Sequence, residues 1–498
     1  MQSAAAATRG DASSPARLRR RRLIVALVVL TIALSAAARF AALDAFPVHV
    51  FDEHYYAHDA AALLRGDLGP RGAESWRPGE ARSIAHPELG TLAIAAGIAL
   101  FGDGPWGWRA PAALAGTLLI ALMYPLARRL FLPPVWALAA TVLAASDTML
   151  IVEARLAMLD TFVALGSAAC IYCALRATSS PHFARWAVLC GLSGGAAVAS
   201  KWSGALAIIA ALVILALYAR RLGLRRLLAA AVAILALNLG VYVGSYAGYF
   251  LSGHSLADWL HLQRYLLGYN WAVRGNVSFA SRPATWLFDV HPIWYRFFYG
   301  AEGTTGMISI GNPLLWWAAA LALVVLGVQA LVRRDLRLGL APLLVALLYL
   351  PWLLTSRQTY IFYMTPVVPF LAILVAGGLS RIAGRRAAPC APQALGFGGG
   401  ALVTAAALGA AGLGEGLLST ARGALWRGGA ATVGAALAAA AVATAMRSPQ
   451  RRRTIMAALA WAYVGATAGL ALAWLPFLLG YPVVFEYYQR LTWFVTWK

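Results

Sequence analysis

Apolar runs long enough to cross a bilayer follow one another along most of the chain, separated by short breaks that alternate between arginine clusters and turns holding both acids and bases. A helix needs about 20 apolar residues to span the hydrocarbon core. On that measure the pattern predicts helices at 23–43, 108–126, 135–151, 156–175, 186–199, 202–219, 227–250, 313–332, 338–354, 361–379 and 454–479. Residues 395–445, nearly pure Ala and Gly, add a hairpin of two weakly specific spans packed through small residues. The expected architecture is an all-α polytopic membrane protein with about 13 transmembrane helices.

Two polar stretches interrupt the pattern, at 44–105 and 251–312. Within the first, 89–101 is apolar but short for a crossing, so an interfacial helix is expected there. The chain then divides into a basic N-terminus (1–22), a membrane domain with two large loops (23–386), an Ala/Gly-rich insertion (387–453) and a final helix with an aromatic tail (454–498). Arg17–Arg22 and the following run also have the form of a cleavable signal peptide. Cleavage would free the first loop from its anchor, so an uncleaved first helix is expected.

The net charge of +22 suggests a nucleic-acid partner until its distribution is considered. The arginines bunch at 17–22, 128–129, 220–226, 333–337, 381–386 and 447–453, each at the end of an apolar run. That is the positive-inside rule, and no nucleic acid is expected. It puts the N-terminus in the cytoplasm and both large loops, with the tail, outside.

Ionisable groups at membrane depth cost ~2.5–3.5 kcal/mol each, so those outside the basic flanks are informative. They are Asp52, Glu53, Arg109, Asp147, Glu153, Arg155, Asp160, Lys201 and Arg357, nearly all at the outer helix ends. Lys201 stands out because the only other lysine is Lys498. It reads either as a snorkelling side chain or as a compact cation for a phosphate or an acidic partner. Asp160 reads equally as a reacting group or as a partner of Arg155 or Lys201.

Asp52-Glu53 reads either as a helix-opening pair or as a general base beside a substrate-orienting carboxylate. His86-Pro87 and Trp108-Arg109 are turn and interface-belt residues on one reading and site residues on the other. Arg357 and Tyr360 share an outer turn. His54 and His58, spaced i, i+4 beside Asp52 and Asp59, are compatible with a metal, but no other residue supports one. Cys170-x-x-Cys173 lies among apolar residues and reads as packing.

Several of these segments resemble the protein O-mannosyltransferases: Phe51-Asp52-Glu53-His54-Tyr55-Tyr56, His86-Pro87-Glu88-Leu89-Gly90, Gly107-Trp108-Arg109, Arg155 to Asp160, Ser200-Lys201-Trp202-Ser203-Gly204, Gly311-Asn312-Pro313 and Phe362-Tyr363. The resemblance implies a GT-C membrane fold and an inverting transfer of mannose from a polyprenyl monophosphate to Ser or Thr of an exported protein. It implies Asp52 as general base with Glu53 beside it. Substrate contacts would come from His86, Arg109, Arg155, Asp160, Lys201, Arg357 and Tyr360. It implies no cofactor beyond the lipid-linked donor, no obligatory metal, and acceptors met near the secretion translocon. The expected location is a bacterial cytoplasmic membrane with the active site outside. Glu88 stands where the family usually has a second proline, and the Ala/Gly hairpin looks inserted.

The nearest rival is another GT-C enzyme that glycosylates a lipid or glycan. A transporter is the more distant one, since it would place polar groups near the bilayer midplane.

Overall fold

The computed structural model describes residues 15–67, 85–272, 277–301, 303–383 and 448–497. The expected hairpin at 395–445 and the charged centre of the first loop lie outside the described residues.

Eight described helices are long and apolar enough to cross a membrane, and four shorter apolar helices accompany them. The protein is a multi-pass membrane protein. The first helix, α1 (Pro15–Phe40), leads to a short loop helix, α2 (Glu53–Leu64). The apolar loop segment forms α3 (Glu88–Phe101), which packs on α4 (Pro105–Arg129). The short apolar segment at 89–101 is thus helical, as its pattern required.

The run 135–151 is not one helix. It breaks into α5 (Pro134–Ala145) and α6 (Thr148–Glu153). Asp147 at the break caps α6, its Oδ1 accepting from Leu150 N at 2.9 Å. Its Oδ2 accepts from Asn312 N and Trp316 Nε1. Asp147 therefore ties this break to the start of a distant helix, which accounts for a buried acid there.

Next come α7 (Leu159–Ala177), α8 (Phe183–Ser200), α9 (Ala205–Leu217) and α10 (Leu224–Gly244). The helix expected over 227–250 ends at Gly244, and a one-turn helix, Ala247–Leu251, follows. The run at 361–379 begins as a 3-10 turn, Ile361–Met364, because Pro366 and Pro369 delay the regular helix to Val368.

The second loop adds a small β element to the helical fold. It holds α11 (Leu256–Ala272) and an antiparallel hairpin of β1 (Ile293–Gly300) and β2 (Gly303–Ser309), with an irregularity between Trp294 and Arg296. Thr304 bridges to Val483 of the C-terminal tail, and Trp294 Nε1 donates to Trp497 O at 3.0 Å. The hairpin thus fastens the tail over the bundle. The remaining helices are α12 (Pro313–Arg333), α13 (Leu336–Tyr349), α14 (Val368–Ala383) and α15 (Pro449–Leu478).

Candidate active site

Two arginines set the path of the chain out of α1. Arg155 is buried, and its guanidinium donates to the carbonyls of Ala38, Arg39, Ala41 and Ala42, and to Leu478 O at 3.1 Å. Ala38 and Arg39 lie in the last turn of α1 and Leu478 ends α15, where carbonyls lack intrahelical donors, and Ala41 and Ala42 follow directly after α1. Arg109, also buried, donates to Leu43 O, Phe46 O and Val48 O. It also forms a two-pronged pair with Glu53, both contacts at 2.8 Å. An arginine has five N–H donors, and here every donor of Arg109 is engaged.

The adjacent acids Asp52 and Glu53 face opposite environments. Glu53 is buried: Oε2 accepts from Val50 N and Oε1 from Ala157 N, each at 2.9 Å, in addition to the Arg109 pair. Phe51, one residue before Asp52, has φ +52°, a left-handed conformation costly for a bulky side chain. Its ring is held by stacking on Tyr295 at 4.4 Å and by edge contacts to Phe279 and Phe362. After this turn Asp52 occupies the N-cap position of α2, yet its side chain makes no capping hydrogen bond. The helix-opening reading of Asp52 therefore has no bond to support it. The carboxylate instead lies 3.5 Å from Tyr56 Oη, one turn along α2.

Burial pushes the Asp52 carboxyl up to about 6; the field of Lys201 pulls the other way, and Asp160 adds to the rise. Lys201 and Asp160 form a buried ion pair, with Nζ 2.8 and 3.1 Å from the two oxygens. The ammonium also sits over the rings of Tyr363 at 4.9 Å and Phe362 at 5.2 Å. Lys201 is in extended backbone between α8 and the 3-10 turn Trp202–Gly204. Its position is thus fixed by two helix ends as well as by its partner.

Arg357 differs from the other site arginines. It is half-buried, and its Nη atoms donate to Asn270 Oδ1 at 3.2 Å and Tyr363 Oη at 3.1 Å, both neutral acceptors. Among the described residues no carboxylate pairs with it. Asn270 also donates to Ala85 O at 3.0 Å, so α11 of the second loop is tied to the His86 turn of the first. Burial, then the fields of Lys201 and Arg357, keep the His86 imidazole well below its ordinary range and therefore neutral. Tyr360 stacks on Phe362 at 5.3 Å and on Phe279 at 5.6 Å.

The structure thus gathers Asp52, His86, Asp160, Lys201, Arg357 and Tyr360 around one cluster of aromatic rings. Glu53, Arg109 and Arg155 stand behind it and shape the backbone that carries it. The sequence reading gave no role of their own to Tyr56, Asn270 or Tyr363. Tyr56 was legible as the i+4 neighbour of Asp52. Asn270 was not, because only tertiary packing brings α11 to the first loop. A further buried group was seen only as an outer-turn acid: Glu153 accepts from Ser309 Oγ at 2.8 Å and from Tyr295 Oη, and burial pushes it up to about 8. Tyr295 thus links Glu153 to Phe51 and so to the turn that aims Asp52.

Sequence and fold comparisons show what the chain is similar to. A family profile described as dolichyl-phosphate-mannose-protein mannosyltransferase matches residues 85–243, a span that includes His86, Arg109, Arg155, Asp160 and Lys201. A polyprenol-phosphate-mannose–protein mannosyltransferase of Corynebacterium glutamicum is 27% identical over 68% of this chain and 78% of its own length. Among solved structures, the S. cerevisiae protein O-mannosyltransferase Pmt1-Pmt2 complex, bound to its sugar donor, superposes with a TM-score of 0.67 at 12% identity. That match covers 95% of this chain and 92% of the other. ArnT from Cupriavidus metallidurans follows at 0.52 and 20% identity, over 94% and 86%. The fold is of the GT-C type, and over about 70% of its length the chain is similar in sequence to polyprenol-phosphate-mannose–protein mannosyltransferases of Corynebacterium and mycobacteria.

Proposed function

We propose that the protein transfers mannose, with inversion, from a polyprenyl monophosphate mannose to Ser or Thr hydroxyls of exported proteins at the outer face of a bacterial cytoplasmic membrane. The observation that supports the reading is that two charged groups of this cluster have no partner of opposite charge within ion-pair distance among the described residues. Asp52 is a carboxylate without a capping bond, and Arg357 is a guanidinium without a carboxylate partner.

In this reading the acceptor oxygen attacks the anomeric carbon while Asp52 takes its proton. The bond from that carbon to the phosphate oxygen breaks, and the electron pair leaves with the phosphate. Negative charge grows on the leaving group, so a fixed cation aimed at it lowers the barrier. We assign that task to Arg357. The donors of Arg109 and Arg155 are engaged by backbone carbonyls and Glu53, and Lys201 is neutralised by Asp160. Lys201 and Asp160 then keep the cluster in shape and set the field at Asp52. Tyr360 and the stacked rings beside it offer an apolar wall for the sugar or the first prenyl units. A retaining route would need a second free carboxylate as nucleophile, whereas Glu53 is locked to Arg109. No nucleotide sugar and no obligatory metal take part, and acceptors reach the site as extended chain emerging near the secretion translocon.

Membranes containing the protein, incubated with labelled polyprenyl-phosphomannose and a Ser/Thr-rich peptide, should move label into the peptide. Label passing only to a lipid or glycan would replace the protein acceptor with another. In the same assay Arg357→Ala should raise the donor KM by about 10- to 100-fold, the worth of a charge-assisted contact, with the peptide KM little changed. Equal shifts in both would remove Arg357 from the phosphate.

A further inference from the structure

The helices that carry the site have a second end. α4 bears Arg109 near its start and finishes at Arg128 and Arg129, and α7 holds Asp160 in its first turn and finishes near Arg176. At 1.5 Å per residue, the 25-residue α4 separates its two ends by roughly 36 Å. These far ends, with Arg221 and the turn between α12 and α13, line a concavity of about 990 Å³. That turn contributes Arg333, Arg334 and Arg337.

The lining is strongly cationic and largely uncompensated. Asp335 is its one acid, and its carboxylate is occupied in accepting from Arg337 N and Leu338 N at the start of α13. Among the described residues none of the seven arginines pairs with a carboxylate. Arg129 reaches the neutral hydroxyls of Ser179 and Tyr172, and Arg176 lies 4.4 Å over the Trp186 ring with its Nε buried and unpartnered. Arg337 lies over Phe131 at 5.2 Å. Guanidiniums laid on rings keep their N–H edges available for bidentate contact with phosphate oxygens. Just beside the hollow the helices expose apolar side chains: Leu331 79%, Val332 78% and Leu224 69%. An occupant with an anionic head and an apolar body fits both features.

We propose that this concavity binds the phosphodiester headgroup of an anionic phospholipid of the cytoplasmic leaflet, with the acyl chains lying along the adjoining helix faces. The choice of leaflet rests on the topology of the preceding reading; the binding itself does not. The positive-inside rule accounts for arginines on this rim, but not for their convergence from four separate helix ends and turns around one hollow. Arg451, Arg452 and Arg453 at the start of α15 are exposed basic residues that do not line it, and they provide the control.

The test uses the full chain in neutral detergent, with lipid retention read by native mass spectrometry against phosphatidylglycerol and phosphatidylcholine. The parent should bind phosphatidylglycerol about tenfold or more tightly than phosphatidylcholine. Arg333→Gln/Arg334→Gln/Arg337→Gln should lose that preference, as should Arg129→Gln on another wall of the hollow. Arg451→Gln/Arg452→Gln/Arg453→Gln should keep it. Equal weakening by both triple variants, or no preference in the parent, would overturn the proposal. So would inorganic pyrophosphate that displaces the lipid and binds as tightly alone, since that would mark a site for a soluble anion. Mannosyl transfer in phosphatidylcholine micelles, unchanged in the pocket variants, separates this result from the fate of the catalytic reading.

Discussion

Asp52→Asn should leave a folded, membrane-inserted protein whose mannosyl transfer falls by roughly 10²- to 10⁴-fold, the usual worth of a positioned general base. Asparagine has nearly the same shape but cannot accept the hydroxyl proton. The native turn around Phe51 should survive, because Asp52 supplies no capping bond to lose. The substitution should also raise thermal stability. Burial lifts the carboxyl from 3.8 to about 6 in the folded protein. A carboxyl raised in this way favours the folded state when protonated, and that benefit disappears as pH rises through about 6. At neutral pH the ionised group therefore disfavours folding by about 3 kcal/mol. Asparagine removes that cost. A dead enzyme with a higher melting temperature is the expected combination. Wild-type turnover, or loss of activity through unfolding, would go against Asp52 as base.

Arg109→Ala should act through the fold. It strands Glu53 as a buried carboxylate and leaves the carbonyls of Leu43, Phe46 and Val48 without a donor. Breaking a buried pair by removing one partner typically costs about 3–5 kcal/mol, and the orphaned carbonyls add to it. Most of the protein should therefore be lost from the membrane fraction or melt far below the parent, with the remaining activity reduced for donor and acceptor alike. A variant of parental stability with a selectively raised donor KM would instead make Arg109 a substrate contact, as the sequence resemblance implies. The two substitutions would thus separate the role proposed for Asp52, on substrate, from that of Arg109, which holds the chain that presents it.

The sequence showed where polar groups collect but not how they pair. The costs of charge at membrane depth singled out Asp52, Lys201, Asp160 and Arg357, and the structure draws these together. The same rule singled out Arg109 and Arg155, whose donors go to carbonyls at helix ends. No local signal separates a cation facing a ligand from one closing a helix terminus, because both need a buried guanidinium at an outer helix end. Pairing is decided by contacts far apart in sequence, from 41 residues for Lys201 with Asp160 to 323 for Arg155 with Leu478. Hydropathy gave the helices but not the interruptions at Asp147 and Gly244. It missed the β-hairpin because the aromatic-rich strand Ile293–Gly300 does not alternate cleanly: its burial runs inward only at its start. That hairpin matters to the site, since Tyr295 and Ser309 hold Glu153, and Tyr295 carries the ring on which Phe51 stacks.

The central claim is that a carboxylate with a raised proton affinity draws the proton from the acceptor, and the pH dependence of wild-type kcat/KM tests it most directly. His86 is held neutral well below its ordinary range and burial pushes Glu153 up to about 8, so the rate should follow the Asp52 carboxyl, pushed up to about 6. The rate should climb about tenfold per pH unit below that point and level off above it. A profile flat from about pH 5 to 7, with the protein intact throughout, would contradict the assignment.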